Sequence, residues 1–242
     1  MYQKAAEIIR NSNHVVAFTG AGISVESGIP PFRGENGIWS AYDPSLLAIY
    51  QFIVDPEESW PVIIQLFYDN FKGKEPNAAH YLLAKMEANG LLESVITQNI
   101  DNLHQLAGSK NVYEFHGSSR RLICLDCGDT VEVADVDLTS IPPRCKICDG
   151  LLKPDFVFFG ESIPDMIHVR SFKEAQKADA MLIIGTSGEV VPASSIPYLA
   201  KLNGAAIIEI NPDKSIYTNR ITDIYFGAKA TEAADNLSRY LF

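Results

Sequence analysis

Cysteine is scarce, with four in 242 residues, and all four lie between positions 124 and 148. A chain this long buries roughly 70–75% of its unfolded surface and needs no disulfide staples to fold. Positive charge is also in short supply. Twenty Lys and Arg face thirty Asp and Glu, a net charge of −10, which argues against direct nucleic-acid binding, because that grip needs cations to displace phosphate counterions. The same negative field suits a basic, lysine-rich peptide as partner. Long apolar runs are missing too. Stretches such as 15–18 and 180–184 fall far short of the ~20 residues a bilayer span requires. Residues 1–14, MYQKAAEIIRNSNH, lack the apolar core of a signal peptide. The expectation is a cytoplasmic protein with no membrane contact. A composition 47% hydrophobic and 21% charged excludes disordered and fibrous classes.

What the cysteines lack in number they have in spacing. Cys124-Leu-Asp-Cys127 and Cys145-Lys-Ile-Cys148 are two Cys-x-x-Cys knuckles separated by seventeen residues. This is the spacing of a four-thiolate zinc ribbon, in which each tight turn presents two sulfurs and two turns complete a tetrahedron. Four thiolates leave no open coordination position, so the zinc is expected to be structural. Two disulfides would be the alternative in a secreted protein.

Periodicity places helices over 2–11, 56–71, 77–89, 164–177, 193–203 and 231–241, and strands over 15–18, 94–97, 112–115, 180–184 and 205–210. Strands alternating with helices predict an α/β protein, with a parallel sheet covered by helices on both faces. Two stretches interrupt the alternation, 31–74 and 120–152. They are expected to build a second, small domain.

In a parallel sheet, ligands bind beyond the carboxyl ends of the strands, and these ends carry the polar and glycine-rich signatures here. Gly20-Ala21-Gly22 supplies two glycines of a dinucleotide turn, with Val25 where a third would stand; a plain strand-to-helix turn would read the same way. Gly185-Thr186-Ser187 offers a second place where backbone amides can approach a phosphate. Gln98-Asn99-Ile100-Asp101 brings two amides and a carboxylate to one strand end, fit to bind a carboxamide or a ribose, although Asp101 could equally cap the following helix. Among five histidines, His80 and His104 sit in amphipathic helices and read as packed or capping residues, and His168 sits in a polar helix. His116 differs: it follows a strand directly and precedes Gly117, which suggests room beside its ring. An imidazole there suits general-base work near neutral pH.

Together these residues resemble the sirtuin family of NAD-dependent protein-lysine deacylases. The matching motifs are Gly20-Ala21-Gly22-Ile23-Ser24, Ser27-Gly28-Ile29-Pro30, Phe32-Arg33-Gly34, Thr97-Gln98-Asn99-Ile100-Asp101, His116-Gly117 and the cysteine quartet. Phe158-Phe159-Gly160-Glu161, Gly185-Thr186-Ser187 and Asn211-Pro212 complete the series in the family's order. The resemblance implies a Rossmann-like domain over 1–30, 75–119 and 153–242, a helical module with the cofactor loop over 31–74, and a zinc ribbon over 120–152. It implies NAD as co-substrate, held by Gly20, Ala21, Gly22 and Ser24, with Phe32, Arg33 and Trp39 on the cofactor loop. Gln98, Asn99, Ile100 and Asp101 would serve the ribose and nicotinamide pocket. Gly185, Thr186, Ser187, Asn211, Pro212, Asp213 and Ala230 would face the adenosine half. His116 would be the base, with Asn99 and Asp101 beside it as catalytic residues. Tyr68, Val157, Phe158, Gly160 and Glu161 would contact the acylated lysine peptide, and Cys124, Cys127, Cys145 and Cys148 would hold zinc.

Three departures from the family's pattern stand out. Pro31 replaces an aspartate common before Phe-Arg, Gly188 stands where leucine is common, and Tyr68-Asp69-Asn70-Phe71 lacks the arginine of members that remove acidic acyl groups. An apolar Phe71 favours neutral acyl chains, since a buried carboxylate needs a paired cation. Mono-ADP-ribosyl transfer from the same NAD site is the alternative enzyme reading. A non-catalytic nucleotide-binding scaffold is the alternative outside enzymes.

Overall fold

The computed structural model describes residues 1–32, 37–38 and 42–242. In chain order, α1 (Tyr2–Asn11) leads into β1 (Val15–Thr19) and a 3₁₀ turn at Ala21–Ser27. Next come α2 (Ile49–Val54), α3 (Pro56–Ile63), a π-helical turn at Ile64–Asp69, and α4 (Ala78–Ala88). The middle of the chain holds β2 (Ser94–Thr97), the single turn α5 (Leu103–Leu106), β3 (Val112–Glu114), β4 (Gly117–Cys124), β5 (Thr130–Glu132) and β6 (Leu152–Phe156). It closes with α6 (Asp165–Lys177), β7 (Ala180–Ile184), α7 (Ser195–Leu202), β8 (Ala206–Ile210), β9 (Ile224–Phe226) and α8 (Ala230–Leu241).

Six strands form one parallel sheet in the order β3-β2-β1-β7-β8-β9. Strands covered on both faces should be apolar throughout, and every residue of β1 and β7 is buried. Alternate side chains feed two cores. Val15, Ala17, Leu182 and Ile208 meet α1, α4 and α8 through Ile9, Leu83 and Leu237. Val16, Phe18, Ile183 and Ile207 meet α6 and α7 through Ala175, Ile196 and Ala200. The fold is α/β and Rossmann-like. Its winding reverses between β1 and β7, so a crevice opens there beyond the strand ends.

The second sheet is antiparallel, in the order β5-β4-β6. It shares a third core with the helical stretch: Phe52, Trp60, Ile63 and Phe67 pack with Leu122, Leu152, Phe156 and Phe158. The helix expected over 56–71 is divided in the structure. Pro61 lies inside α3, where it lacks the N–H for a bond back along the helix, and the backbone continues as the π turn carrying Phe67 and Tyr68. Strands β4, β5, β6 and β9 have no counterpart among the expected strands, while α2 falls within the stretch 31–74 expected to be helical. Among the described residues no helix is long and apolar enough to cross a membrane.

Candidate active site

The ends of β1, β2, β3, β7 and β8 converge on a cavity of about 1010 Å³, at the top of the ~300–1,000 Å³ range of small-molecule sites. The 3₁₀ turn after β1 contributes Gly20, Ala21 and Gly22, and Phe32 reaches in from the next segment. Gln98, Asn99 and Ile100 come from the end of β2, and His116 from the end of β3. Gly185, Thr186 and Ser187 follow β7, Asn211, Pro212 and Asp213 follow β8, and Ala230 opens α8. Val157, Phe158, Gly160 and Glu161 form the wall after β6. Arg33 and Trp39 lie outside the described residues. Ser24, Asp101 and Tyr68 do not line the main cavity. Asp101 instead borders a small side recess with Asn99, Ile100, Phe32 and Phe71.

The glycines after β1 and β7 serve each other. A Cβ on Gly22 would stand 2.6 Å from the Gly185 Cα, and Gly22 N–H donates to the Gly185 carbonyl at 2.8 Å. Two strand-end turns thereby close on one another without side chains between them. Gly188 has a φ of +77°, and a Cβ there would stand 2.6 Å from the Tyr217 ring. Leucine therefore does not fit this position beside Tyr217. The amides of Thr186 and Ser187 find no acceptor among the described residues. Free N–H groups at a strand-end turn are what an anionic phosphate group requires, so the crevice fits a dinucleotide.

His116 is held by its backbone-facing nitrogen. Nδ1 lies 3.0 Å from the Gln98 carbonyl; a carbonyl only accepts, so Nδ1 carries the proton and Nε2 keeps its lone pair. Nε2 has no hydrogen-bond partner among the described residues. Burial lowers the imidazole's pKa, against the opposing pull of the Gln98 bond, which keeps the ring neutral at pH 7. The ring borders the open cavity, as the sequence suggests, but the glycine that follows it serves a further purpose. With φ +79°, it lets the start of β4 press against the Asp155 and Phe156 backbone, where a Cβ would collide.

Behind the cavity lies a polar network that local sequence context does not reveal. The Asn77 amide donates to His80 Nδ1 at 3.3 Å, which puts the ring proton on Nε2, facing Ser24 Oγ at 3.5 Å. Ser24 Oγ donates to Asp101 Oδ2 at 2.6 Å. Asn99 Nδ2 donates to the same carboxylate oxygen at 3.2 Å, and the Leu103 N–H to Oδ1 at 3.0 Å, so Asp101 also holds the first N–H of α5, whose N-cap is Asn102. Burial raises the Asp101 pKa, opposed by these donors. In parallel, His104 Nε2 meets Thr19 Oγ1 at 2.9 Å, Thr19 Oγ1 donates to Thr97 Oγ1 at 2.9 Å, and Thr97 Oγ1 accepts from the Asn99 amide at 3.0 Å. His80 and His104 stack edge to face, 4.9 Å apart. Burial pushes the His80 pKa down to about 4 and that of His104 well below its ordinary value, with His80 adding to the effect. The two histidines are packed, as expected, and they also brace Asn99 and Asp101 from behind.

Lys153 is a second residue the sequence did not single out. Its ammonium is buried in β6 and donates to the carbonyls of Pro154 (2.8 Å) and Phe156 (2.7 Å) and to Glu161 Oε2 (3.1 Å). It also stands 4.3 Å from the Phe158 ring centroid. Burial lowers its pKa, against the attraction of Glu161. Glu161 Oε2 also accepts the Phe158 amide at 2.7 Å, so this glutamate shapes the wall it lines. Tyr68 hydroxyl is buried with no hydrogen-bond partner among the described residues, and burial raises its pKa.

Away from the cavity, the four cysteine sulfurs all lie within 4.8 Å of one another, with Cys124–Cys148 at 3.5 Å and Cys127–Cys145 at 3.8 Å. Zinc–sulfur bonds of ~2.3 Å in a tetrahedron place sulfurs ~3.8 Å apart, so the donor set fits zinc. Gly150 leaves the space the cluster needs: a Cβ there would stand 2.8 Å from Cys124 Sγ.

Known proteins share these features. The Sir2 family model matches residues 20–192. An NAD-dependent protein deacylase of Aeropyrum pernix is 44% identical over 98% of this chain and 96% of its own length. A solved Sir2 homologue mutant in complex with ADP-ribose superposes with a TM-score of 0.95 at 42% identity, covering 100% of this chain and 96% of the other. A Sir2–p53 peptide–NAD⁺ complex gives 0.91 at 34% identity, covering 99% of this chain and 98% of that one. With its parallel sheet, its four-thiolate cluster and a match from the first glycine turn to Pro192, this chain belongs to the Sir2 family.

Proposed function

We propose that this protein removes acyl groups, acetyl foremost, from protein lysines with NAD as co-substrate, yielding nicotinamide, free lysine and O-acyl-ADP-ribose. One observation carries the reading. A neutral imidazole, fixed at Nδ1 by a backbone carbonyl, presents Nε2 to a cavity that joins a nucleotide crevice to the wall at Val157–Gly160. The deacylase activity named for the Aeropyrum relative, and the peptide and NAD⁺ in the similar complex, support it.

Bound NAD supplies a ribose C1′ from which nicotinamide departs. The chain's own residues align and desolvate the partners. Gly20, Ala21, Gly22, Thr186 and Ser187 hold the phosphates. Asn211, Pro212, Asp213 and Ala230 flank the adenosine half. Asn99, Ile100 and Asp101 shape the nicotinamide recess, with Ser24 acting on Asp101 from behind. His116 takes up a proton at Nε2 from a ribose hydroxyl. Phe158 and Phe67 enclose the lysine's acyl end, and the 157–160 backbone pairs with the peptide as an added strand. The large domain is 1–30, 75–119 and 153–242, with 31–74 and 120–152 as the small one, and the enzyme is assigned to the cytoplasm. Its substrates are basic proteins, matching the −10 net charge.

Nicotinamide release measured with and without an acetyl-lysine peptide tests the proposal. Peptide-dependent release supports deacylation, peptide-independent release supports ADP-ribosyl transfer, and no turnover supports a scaffold. Phe71 stands where members that remove acidic acyl groups carry the arginine of their Tyr-x-x-Arg pair, so kcat/KM should favour acetyl- over succinyl-lysine in one peptide; preference for succinyl would overturn that part.

A further inference from the structure

Glu209 is fully buried on β8, between β7 and the edge strand β9, on the same face of β8 as Ile207, which packs in the core under α6 and α7. It does not line the cavity. A carboxyl group in such surroundings is costly unless donors surround it. Three do. Ser215 Oγ (2.6 Å) and Thr218 Oγ1 (2.9 Å) donate to Oε1, and Thr222 Oγ1 (2.6 Å) donates to Oε2.

All three hydroxyls belong to the connection 211–223 between β8 and β9. Two of them in turn accept from amides of that connection: Tyr217 N–H to Ser215 Oγ at 3.0 Å, and Ser215 N–H to Thr218 Oγ1 at 2.9 Å. The segment is thus folded around one carboxylate. Its leading residues Asn211, Pro212, Asp213 and Lys214 line the cavity. Its middle is strapped to the opposite turn. The Ile216 amide donates to the Ser187 carbonyl at 3.2 Å, Tyr217 hydroxyl donates to the Ser194 carbonyl at 3.0 Å, and the Tyr217 ring fills the space that glycine at 188 leaves.

We propose that Glu209 is a positioning residue that holds the 211–215 wall of the cavity in its nucleotide-binding form. This rests on the reading that the adenosine half of NAD lies along that wall. Glu209 acts through the three hydroxyls and touches no substrate.

Calorimetric binding of ADP-ribose to the zinc-loaded protein, together with steady-state kinetics, tests it in Glu209→Ala, in Glu209→Gln and in the double variant Ser215→Ala/Thr218→Val. If the wall is formed only about one-tenth of the time, the apparent Kd weakens about tenfold. KM for NAD should rise in parallel in Glu209→Ala, with kcat at saturating NAD and KM for the acetyl-lysine peptide unchanged. Glu209→Gln, which keeps one carbonyl acceptor, should fall between. Hydrogen exchange across 211–222 should quicken in step. A general structural role would lower Tm and leave this KM split absent, so folded variants with wild-type ADP-ribose affinity overturn the proposal. Should Glu209→Ala not fold, the double variant decides by the same criterion. A wild-type protein that failed to bind ADP-ribose would overturn the underlying nucleotide assignment instead.

Discussion

In the parallel sheet all five residues of β1 and of β7 are buried, while in the antiparallel sheet β5 alternates exposed, half-buried, exposed. The first is sandwiched between two helical layers and stands chiefly on apolar burial, each buried methylene contributing about 0.8 kcal/mol. The second has one covered face, which it shares with the helical stretch, and at its far end the chain is gathered by four sulfurs. The active site draws on both. Residues proposed to face the nucleotide come from the ends of a sheet fixed by packing, whereas the wall at 157–161 continues a strand of the sheet that depends on metal. The difference teaches where each half is vulnerable: one to cavities in its core, the other to loss of a ligand.

Removing the metal should give the largest effect, since a structural zinc site contributes on the order of 10 kcal/mol to folding. Cys145→Ala, or chelation, should unfold the antiparallel sheet, abolish deacylation, and leave a folded signal from the parallel sheet. Full activity in metal-free protein would erase the contrast between the two regions. His116→Ala comes next. Loss of a positioned base costs ~10²–10⁴-fold in turnover, while the crevice built from β1 and β7 stays intact, so ADP-ribose affinity should be nearly unchanged. A variant with the wild-type rate would remove His116 from its role.

The packing around the parallel sheet also carries a pH dependence of its own. His80 titrates near 4 in the folded chain and near 6.5 when unfolded. Its neutral form is the folded one, so its contribution is complete above about pH 6.5 and is lost as pH falls toward 4. The amount is on the order of 3 kcal/mol, with His104 acting in the same direction. Thermal unfolding followed from pH 7 to 4.5 should show Tm falling in wild type and falling less in His80→Gln; parallel curves would contradict this. The smallest effect concerns the wall. Glu161→Ala strips Lys153 of its only carboxylate among the described residues and leaves the Phe158 amide unpaired, at a cost of about 1–3 kcal/mol, since the pair is partly exposed. Adding Lys153→Met to Glu161→Ala should recover part of that loss, as measured by denaturant midpoint.

Legibility followed the same divide. Val15, Val16, Ala17 and Phe18 form a continuous apolar run, and a buried parallel strand writes itself into sequence in that way. So do the amphipathic stripes of α1 and α8. The cysteine knuckles were legible because metal geometry fixes spacing. Strand β9 was not, since Ile224-Tyr225-Phe226 is too short to show a period and pairs only with β8. The cavity residues at 20–22, 98–100, 116, 185–187 and 211–213 were legible as strand ends, whereas the wall at 157–161 and Ala230 were named only through the family resemblance. The network behind them was not legible: His80 and His104 lie 24 positions apart and each reads locally as packing. Only the packing of α4, which carries His80, against α5, which carries His104, sets them beside Ser24 and Thr19 and, through these, Asn99 and Asp101. Lys153 sits beside a proline in an ordinary-looking strand and gives no local hint of burial. Gly117 was noticed for the room beside His116, and its further purpose was not legible, because a backbone approach from β6 cannot be seen along the chain.

The two regions meet at one site, where the acyl group passes from lysine to the ribose of NAD. Mass spectrometry of products from an acetyl-lysine peptide, NAD and the zinc-loaded protein tests it most directly. Equimolar deacetylated peptide, nicotinamide and O-acetyl-ADP-ribose are predicted. Free acetate formed without NAD consumption, or nicotinamide formed without peptide deacetylation, would contradict it.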